Sequence, residues 1–273
     1  MKTLIILIII LAISLNTNCQ SSMDYYSNGL KLSNQQNYKD AIAEYTKAIL
    51  LNPQMSGAYH ERGIALYELN DTLGAIANLN KAIEISPKLS SKAYIDRGNI
   101  KSELMDYIGA ILDYTAAIEI ISNYSETYYL RGNAKIFLKD FRGAIVDFSK
   151  AIELEFNISS YYVGRGYTKS SLHDYRGAIL DFSKAIELEP DFTGSYIYRG
   201  NAKVLLKDDR GAIQDFTKAI EIDSKFAGAY LNRGMALIRI GQIENGCLDL
   251  SKAGELGFFK AYELIEKYCN KSK

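Results

Sequence analysis

The sequence predicts an all-α protein, a solenoid of seven helical hairpins followed by a C-terminal capping helix. The first observation is a fixed period: one glycine recurs every 34 residues, with a single step of 35, at Gly29, Gly63, Gly98, Gly132, Gly166, Gly200 and Gly234. The second is that each repeat carries two stretches with apolar residues at helical spacing, separated by a short polar turn. Such a period predicts a stacked array, in which each hairpin buries its apolar surface against its neighbours.

Other positions recur with the glycine. We count each repeat so that this glycine is position 8. Position 4 is then always Tyr, position 27 is always Ala, position 24 is a large apolar residue, and position 20 is Ala in six repeats and Gly246 in the seventh. Glycine costs about 1 kcal/mol in a helix relative to alanine. Its recurrence therefore predicts close contact between the two helices. The repeats span 22–55, 56–90, 91–124, 125–158, 159–192, 193–226 and 227–260.

This pattern resembles the tetratricopeptide repeat (TPR), which has an aromatic residue, a glycine four residues later, then A-x3-F and a closing proline, as at Pro53, Pro87 and Pro190. The resemblance covers residues 22–260 and implies a right-handed solenoid with a concave face that binds extended peptides. In peptide-binding members, an Asn at position 9 holds the ligand backbone. The sequence departs from the family at position 7, where six repeats have Arg instead of the usual Leu.

The first 19 residues precede the repeats. Lys2 is followed by an apolar run over residues 4–15 and then by Cys19. This order predicts a signal peptide at 1–19 and therefore an exported protein, periplasmic or secreted. An uncleaved anchor is one alternative, although the run is short for a bilayer span. Lipidation of Cys19 is another and would place the protein on a membrane, although Asn18 is not the small residue such a signal prefers.

The Arg at position 7 requires a partner. An Asp follows it sixteen residues later in five repeats, which predicts a contact between the two helices of one hairpin in the pairs Arg97–Asp113, Arg131–Asp147, Arg165–Asp181, Arg199–Asp215 and Arg233–Asp249. The alternative is that both groups are solvated surface charges, since exposed pairs contribute only about 0–1 kcal/mol.

The C-terminal stretch 261–273 predicts a capping helix with a polar tail, because the last repeat of an array otherwise exposes an apolar face. Cys247 lies ten residues before Gly257 and Cys269 lies twelve after it. In an antiparallel pair of helices these positions come level, which makes Cys247 and Cys269 a candidate disulfide. The alternative is two free buried cysteines, because level positions need not point at each other.

Catalytic and metal-binding patterns are absent from the sequence. His60 and His173 stand in different repeats without Cys or carboxylate ligands at metal-binding spacing, and no catalytic or phosphate-binding motif is present. We therefore expect no enzyme activity, no cofactor and no metal. Lys plus Arg and Asp plus Glu number 32 each, which argues against a nucleic-acid partner.

The predicted functional surface is the face of the first helices at positions 2, 5, 9, 12 and 13, opposite the packing positions 4, 8 and 11. It becomes apolar toward the C-terminal half, and exposed apolar surface indicates a binding site. The alternative is that packing between repeats covers these residues. The family's carboxylate clamp needs a Lys at position 5 and basic residues at positions 2 and 6 of a following repeat. Here no repeat has Lys at position 5, and Lys92 is the only base at position 2. The predicted groove comprises Asn99, Tyr129, Asn133, Phe137, Tyr167, Ile197, Asn201, Leu205 and Met235.

The predicted function is non-catalytic binding of a protein or peptide in this groove. The alternative is a self-associating scaffold, a homo-oligomer in which a second copy fills the groove.

Overall fold

A computed structural model describes residues 20–269. These residues contain fifteen helices and no strand, which confirms the predicted all-α fold of consecutive hairpins. The chain divides into an N-terminal unit that ends at Ser122 and a C-terminal unit that begins at Asn123. The predicted signal peptide, with Cys19, and the final residues 270–273 lie outside the described residues.

The N-terminal unit contains the first three hairpins. Each has a first helix of 13 residues and a second of 14. In chain order they are α1 (Ser22–Asn34), α2 (Tyr38–Leu51), α3 (Ser56–Glu68), α4 (Thr72–Ile85), α5 (Ser91–Glu103) and α6 (Tyr107–Ile120).

The C-terminal unit contains four hairpins and one further helix. Its elements are α7 (Ser125–Phe137), α8 (Phe141–Leu154), α9 (Ser159–Ser171), α10 (Tyr175–Leu188), α11 (Thr193–Leu205), α12 (Asp209–Ile222), α13 (Ala227–Arg239), α14 (Ile243–Glu255) and α15 (Lys260–Tyr268). None of the described helices is both long and apolar enough to span a bilayer.

The glycine at position 8 makes room for the aromatic ring at position 24 of the same hairpin. A Cβ atom on Gly29 would lie 2.4 Å from Cε1 of Tyr45, and one on Gly132 would lie 3.0 Å from Cε1 of Phe148. Both rings are fully buried. The helix cost of glycine is therefore offset by a close helix–helix approach, as the sequence predicts.

The turn inside each hairpin has a fixed geometry that helical periodicity does not predict. Position 15 has a positive φ in every repeat, at Gln36, Asn70, Met105, Lys139, His173, Lys207 and Gly241. In the fourth repeat, the next residue, Asp140, donates its backbone N–H to the carbonyl of Lys135, which completes a Schellman motif. The Asp140 side chain then accepts a hydrogen bond from Gly143 N at 3.0 Å and caps α8.

The predicted Arg–Asp contacts are confirmed in all five repeats. In the fourth repeat, Arg131 Nε and Nη2 donate to the two oxygens of Asp147 at 3.0 and 2.7 Å, and Lys135 Nζ lies 2.7 Å from the same carboxylate. The equivalent pairs are Arg97–Asp113, Arg165–Asp181, Arg199–Asp215 and Arg233–Asp249. The carboxylates are buried, so these pairs are not solvated surface charges.

The arginine also connects neighbouring repeats. Arg165 Nη1 donates to Ser149 Oγ of the preceding hairpin at 3.2 Å, and Arg199 donates in the same way to Ser183 at 3.0 Å. The guanidinium lies over the Tyr ring three residues earlier, with 5.7 Å between Arg165 Cζ and the Tyr162 centroid. An arginine at position 7 thus makes polar contacts between repeats that a leucine at this position could not make.

The C-terminal cap is the helix α15, which packs on α14. Cys247 and Cys269 form a disulfide, which joins the two helices at a Cα–Cα distance of 5.9 Å. A Cβ atom on Gly254 would lie 2.8 Å from the ring of Tyr262, so glycine permits the close seating of the cap.

Candidate functional site

The candidate site is a pocket of about 740 Å³ in the C-terminal unit. It lies between α7, α9 and the start of α11. Its walls come from three consecutive repeats and consist of Tyr129, Asn133, Ile136, Phe137, Ser159, Ser160, Val163, Gly164, Tyr167, Glu189, Phe192 and Tyr198.

Most of these residues stand at positions 2, 5, 9, 12 and 13 of the first helices. This is the face on which the sequence places a groove. Four of the nine predicted groove residues line the pocket, namely Tyr129, Asn133, Phe137 and Tyr167.

Two of the pocket's aromatic walls are braced from behind by buried rings. The ring centroid of Tyr129 lies 5.8 Å from that of Phe148 and 5.1 Å from that of Tyr161. Tyr198 stacks on Phe182 at 5.6 Å. Because Phe148 and Phe182 belong to the hairpin cores, the position of these walls is set by the fold before a ligand binds.

Asn133 differs from the other two asparagines at position 9. Asn99 accepts a hydrogen bond from the hydroxyl of Tyr114 at 2.8 Å, and Asn201 accepts one from Asn232 at 3.1 Å. No hydrogen bond links the Asn133 side chain to another of the described residues. The residue at position 24 explains the contrast with Asn99: the fourth repeat has Phe148 where the third has Tyr114.

The remaining predicted groove residues lie elsewhere. Ile197 was expected in the groove, but it is only 8% exposed because it packs with Phe216 and Ala229 in the core of the C-terminal unit. Leu205 is exposed and Met235 is half-buried, and neither lines the pocket. Asn99 belongs to the N-terminal unit.

Eight of the twelve pocket residues are outside the predicted list. Three of them stand on the predicted face at positions 2, 5 and 12: Ser160, Val163 and Ile136. The other five lie off that face: Ser159, Gly164, Glu189, Phe192 and Tyr198. Gly164 has a steric reason, because a Cβ atom there would lie 2.8 Å from Cε1 of Phe148. Its signal in the sequence is weak, since position 6 holds glycine only in the fifth repeat. Glu189 and Phe192 follow α10, the second helix of the fifth repeat. A helical wheel of the first helices therefore does not include them.

The two histidines have local partners. His60 Nε2 lies 2.7 Å from Asp96 of the next repeat, and Nδ1 lies 3.1 Å from Glu61. Burial disfavours the imidazolium, but the hydrogen bonds to Asp96 and Glu61 outweigh it and raise the pKa of His60 to about 9. His173 Nδ1 lies 2.7 Å from the hydroxyl of Tyr175. Residues 20–269 contain no group of three or more potential metal ligands.

Comparison with known families identifies tetratricopeptide repeats in the chain. One TPR model matches residues 26–90, and another matches residues 125–158 and 159–192. The latter two ranges contain α7 to α10 and thus most of the pocket. No curated protein gives a significant sequence match.

Solved structures with the same fold include several TPR proteins. The C-terminal part of a TPR-containing protein from Cytophaga hutchinsonii has a TM-score of 0.74 at 19% identity, covering 87% of this chain and 98% of that one. A TPR protein from Parabacteroides merdae has a TM-score of 0.64 at 20% identity, covering 92% and 100%. YrrB, a TPR protein with an unusual peptide-binding site, has a TM-score of 0.62 at 22% identity, covering 68% and 95%. At these identities, the TM-scores show a shared fold and no more.

Proposed function

We propose that these tetratricopeptide repeats form a non-catalytic scaffold that binds an extended peptide segment of a partner protein in the pocket between α7, α9 and α11. TPR arrays generally act as protein-interaction scaffolds, and one structural neighbour, YrrB, carries a peptide-binding site. The observation that carries the proposal is the half-buried Asn133, which has no hydrogen-bond partner among the described residues and stands in a pocket walled by aromatic rings.

The chemistry of this arrangement fits a peptide. A side-chain amide presents both a donor and an acceptor, the two groups that the backbone of an extended peptide leaves unpaired. Half-buried polar groups without a partner favour a ligand that supplies one. The aromatic walls offer apolar surface to the ligand side chains, at about 25 cal/mol per Å² of area buried before the cost of ordering the ligand.

We also propose that the protein is exported. The disulfide between Cys247 and Cys269 supports this, because such bonds persist in oxidising compartments and are rare in the cytosol. Cell fractionation with an antibody against residues 20–269 tests it. We expect the protein outside the cytoplasm, and recovery in the cytosolic fraction with both thiols reduced would refute it.

The binding proposal is tested with a random nonapeptide library displayed on phage and selected on immobilised chain from residue 20 onward. Affinities of the selected peptides are then measured by fluorescence anisotropy for the wild type and Asn133→Ala. The matched control is Asn99→Ala, which changes the same repeat position in a hairpin where the amide already has a partner.

We expect Asn133→Ala to weaken binding by about fivefold to thirtyfold, the value of one or two hydrogen bonds of about 1 kcal/mol each to a peptide backbone. Asn99→Ala should leave the affinity unchanged. Equal affinities for the wild type and Asn133→Ala would contradict the proposal, as would a selection without binders. Light scattering in parallel identifies a second copy as the occupant if an oligomer dissociates in Asn133→Ala.

A further inference from the structure

The pocket lining is rich in aromatic side chains and carries one acidic group. Five of its twelve lining residues are aromatic, and Glu189 is the charged residue among them. Ser159 Oγ donates a hydrogen bond to Glu189 Oε2 at 2.5 Å, which holds the carboxylate beside the first turn of α9. The second oxygen, Oε1, makes no hydrogen bond to the described residues and remains available to a ligand.

A further carboxylate, that of Glu155, lies behind the wall formed by Tyr129. Tyr161, whose ring packs on Tyr129, shares the hydroxyl of Ser125 with Glu155. Burial raises the pKa of the Tyr161 hydroxyl against the hydrogen bond with Ser125, and the negative charges of Glu155 and Glu126 add to the rise. A second carboxylate thus lies one aromatic ring behind the pocket wall.

Two cations in each of the pocket's repeats are held by a buried carboxylate outside the pocket. In each of the three repeats that form the pocket, the Arg at position 7 and the Lys at position 11 share one buried Asp, in the triads Arg131–Asp147–Lys135, Arg165–Asp181–Lys169 and Arg199–Asp215–Lys203. These positions lie away from the pocket, whose walls contain no Lys, Arg or His. Glu189 is therefore the charged side chain that a ligand meets in the pocket wall.

We propose that the peptide bound in this pocket inserts a lysine or arginine side chain among the aromatic rings, with its charged head group at Glu189. This rests on the proposed function and adds the ligand's chemistry to it. Ring faces of Tyr and Phe attract a cation, and the aliphatic stem of Lys or Arg packs against them. A charge-assisted hydrogen bond to a carboxylate is about twice as strong as a neutral one.

This pocket differs from the carboxylate clamp of the TPR family. That clamp uses basic residues to hold a terminal carboxylate, and an acidic ligand would here meet Glu189 and no compensating cation. The chain as a whole carries equal numbers of basic and acidic residues, so a preference for basic ligands would come from the pocket rather than from net charge.

The test uses the same nonapeptide library on three forms of the chain: wild type, Glu189→Gln and Glu187→Gln. Gln at 189 keeps the acceptor for Ser159 but removes the charge. Glu187 is the matched control because it is exposed, pairs with Lys184 and does not line the pocket. Wild type and Glu187→Gln should both select peptides enriched in Lys or Arg, and Glu189→Gln should lose that enrichment.

The best selected peptide is then resynthesised with its basic residue replaced by Gln. We expect this replacement to weaken binding about tenfold to the wild type and about twofold or less to Glu189→Gln, as a coupled pair requires. Peptides that depend on Asn133 but show no basic enrichment would overturn the inference and leave the peptide-binding function standing. Absence of binders, or binders that do not depend on Asn133, would overturn both.

Discussion

A single added hydroxyl should weaken peptide binding at the candidate site. In the third repeat, the Tyr114 hydroxyl donates a hydrogen bond to Asn99 Oδ1 at 2.8 Å. In the fourth repeat, the residue that corresponds to Tyr114 is Phe148, which has no hydroxyl. The substitution Phe148→Tyr places a hydroxyl where Tyr114 has one. We expect it to bond the Asn133 amide and thereby compete with a peptide backbone for the same group.

The expected magnitude follows from one neutral hydrogen bond. A bond of this kind contributes about 0.5–1.5 kcal/mol, so a ligand that must displace it should bind roughly 2- to 13-fold more weakly. The substitution should be tolerated by the fold, because Tyr45 and Tyr114 occupy the same buried position in other repeats. The thermal midpoint should therefore change little.

The assay is fluorescence anisotropy with a library-selected nonapeptide, accompanied by thermal unfolding to verify the fold. Phe216→Tyr is the matched control, because it adds a hydroxyl at the same repeat position beside Asn201, which does not line the pocket. We expect weaker binding only for Phe148→Tyr. Unchanged affinity in a folded Phe148→Tyr variant would refute the assignment of Asn133 as the group that holds the peptide.

Two further predictions concern stability. The folded-state pKa of His60 lies at about 9, above the unfolded value of 6.5, so its pairing with Asp96 stabilises the fold fully below pH 6.5 and is lost as pH rises through 9. Urea unfolding should show about 2–3 kcal/mol less stability at pH 9.5 than at pH 6, and a His60→Gln variant that kept the same pH dependence would refute the assignment. In the C-terminal unit, Asp147→Ala removes the carboxylate shared by Arg131 and Lys135, and should cost about 3 kcal/mol in calorimetry because both cations are largely shielded from water. Glu153→Ala, which removes the exposed pair with Lys150, is the comparison. If Asp147→Ala lowers the thermal midpoint no more than Glu153→Ala does, the prediction is wrong.

The local repeat unit could be predicted from the sequence alone. The 34-residue spacing of glycines such as Gly132 identifies the hairpins, and the Asp sixteen residues after the Arg in five repeats identifies the Arg–Asp contacts. Both signals exist because neighbouring helices in a repeat array meet at fixed positions. The turn at Lys139 and the cap at Asp140 also recur with the period. They were missed because a residue with positive φ carries no apolar signal and glycine stands there only at Gly241.

The membership of the site was predicted in part. Tyr129, Asn133, Phe137 and Tyr167 line the pocket on the face that helical periodicity indicates. Ile197 stands on the same predicted face, but its neighbours bury it against Phe216. A helical wheel assigns a direction from one helix and contains no information on how closely the next repeat covers that direction.

The sequence by itself determined the repeat and the hairpins, because these depend on the period of the chain. Only the tertiary structure decided which asparagine is free and which charge reaches the pocket. Asn99 and Asn133 share a repeat position, and the hydroxyl of Tyr114 separates their roles across fifteen residues. Glu189 joins the site from the end of the second helix. The physical reason is that hydrogen-bond occupancy and local potential depend on partners from other helices, whose positions no single-helix pattern encodes.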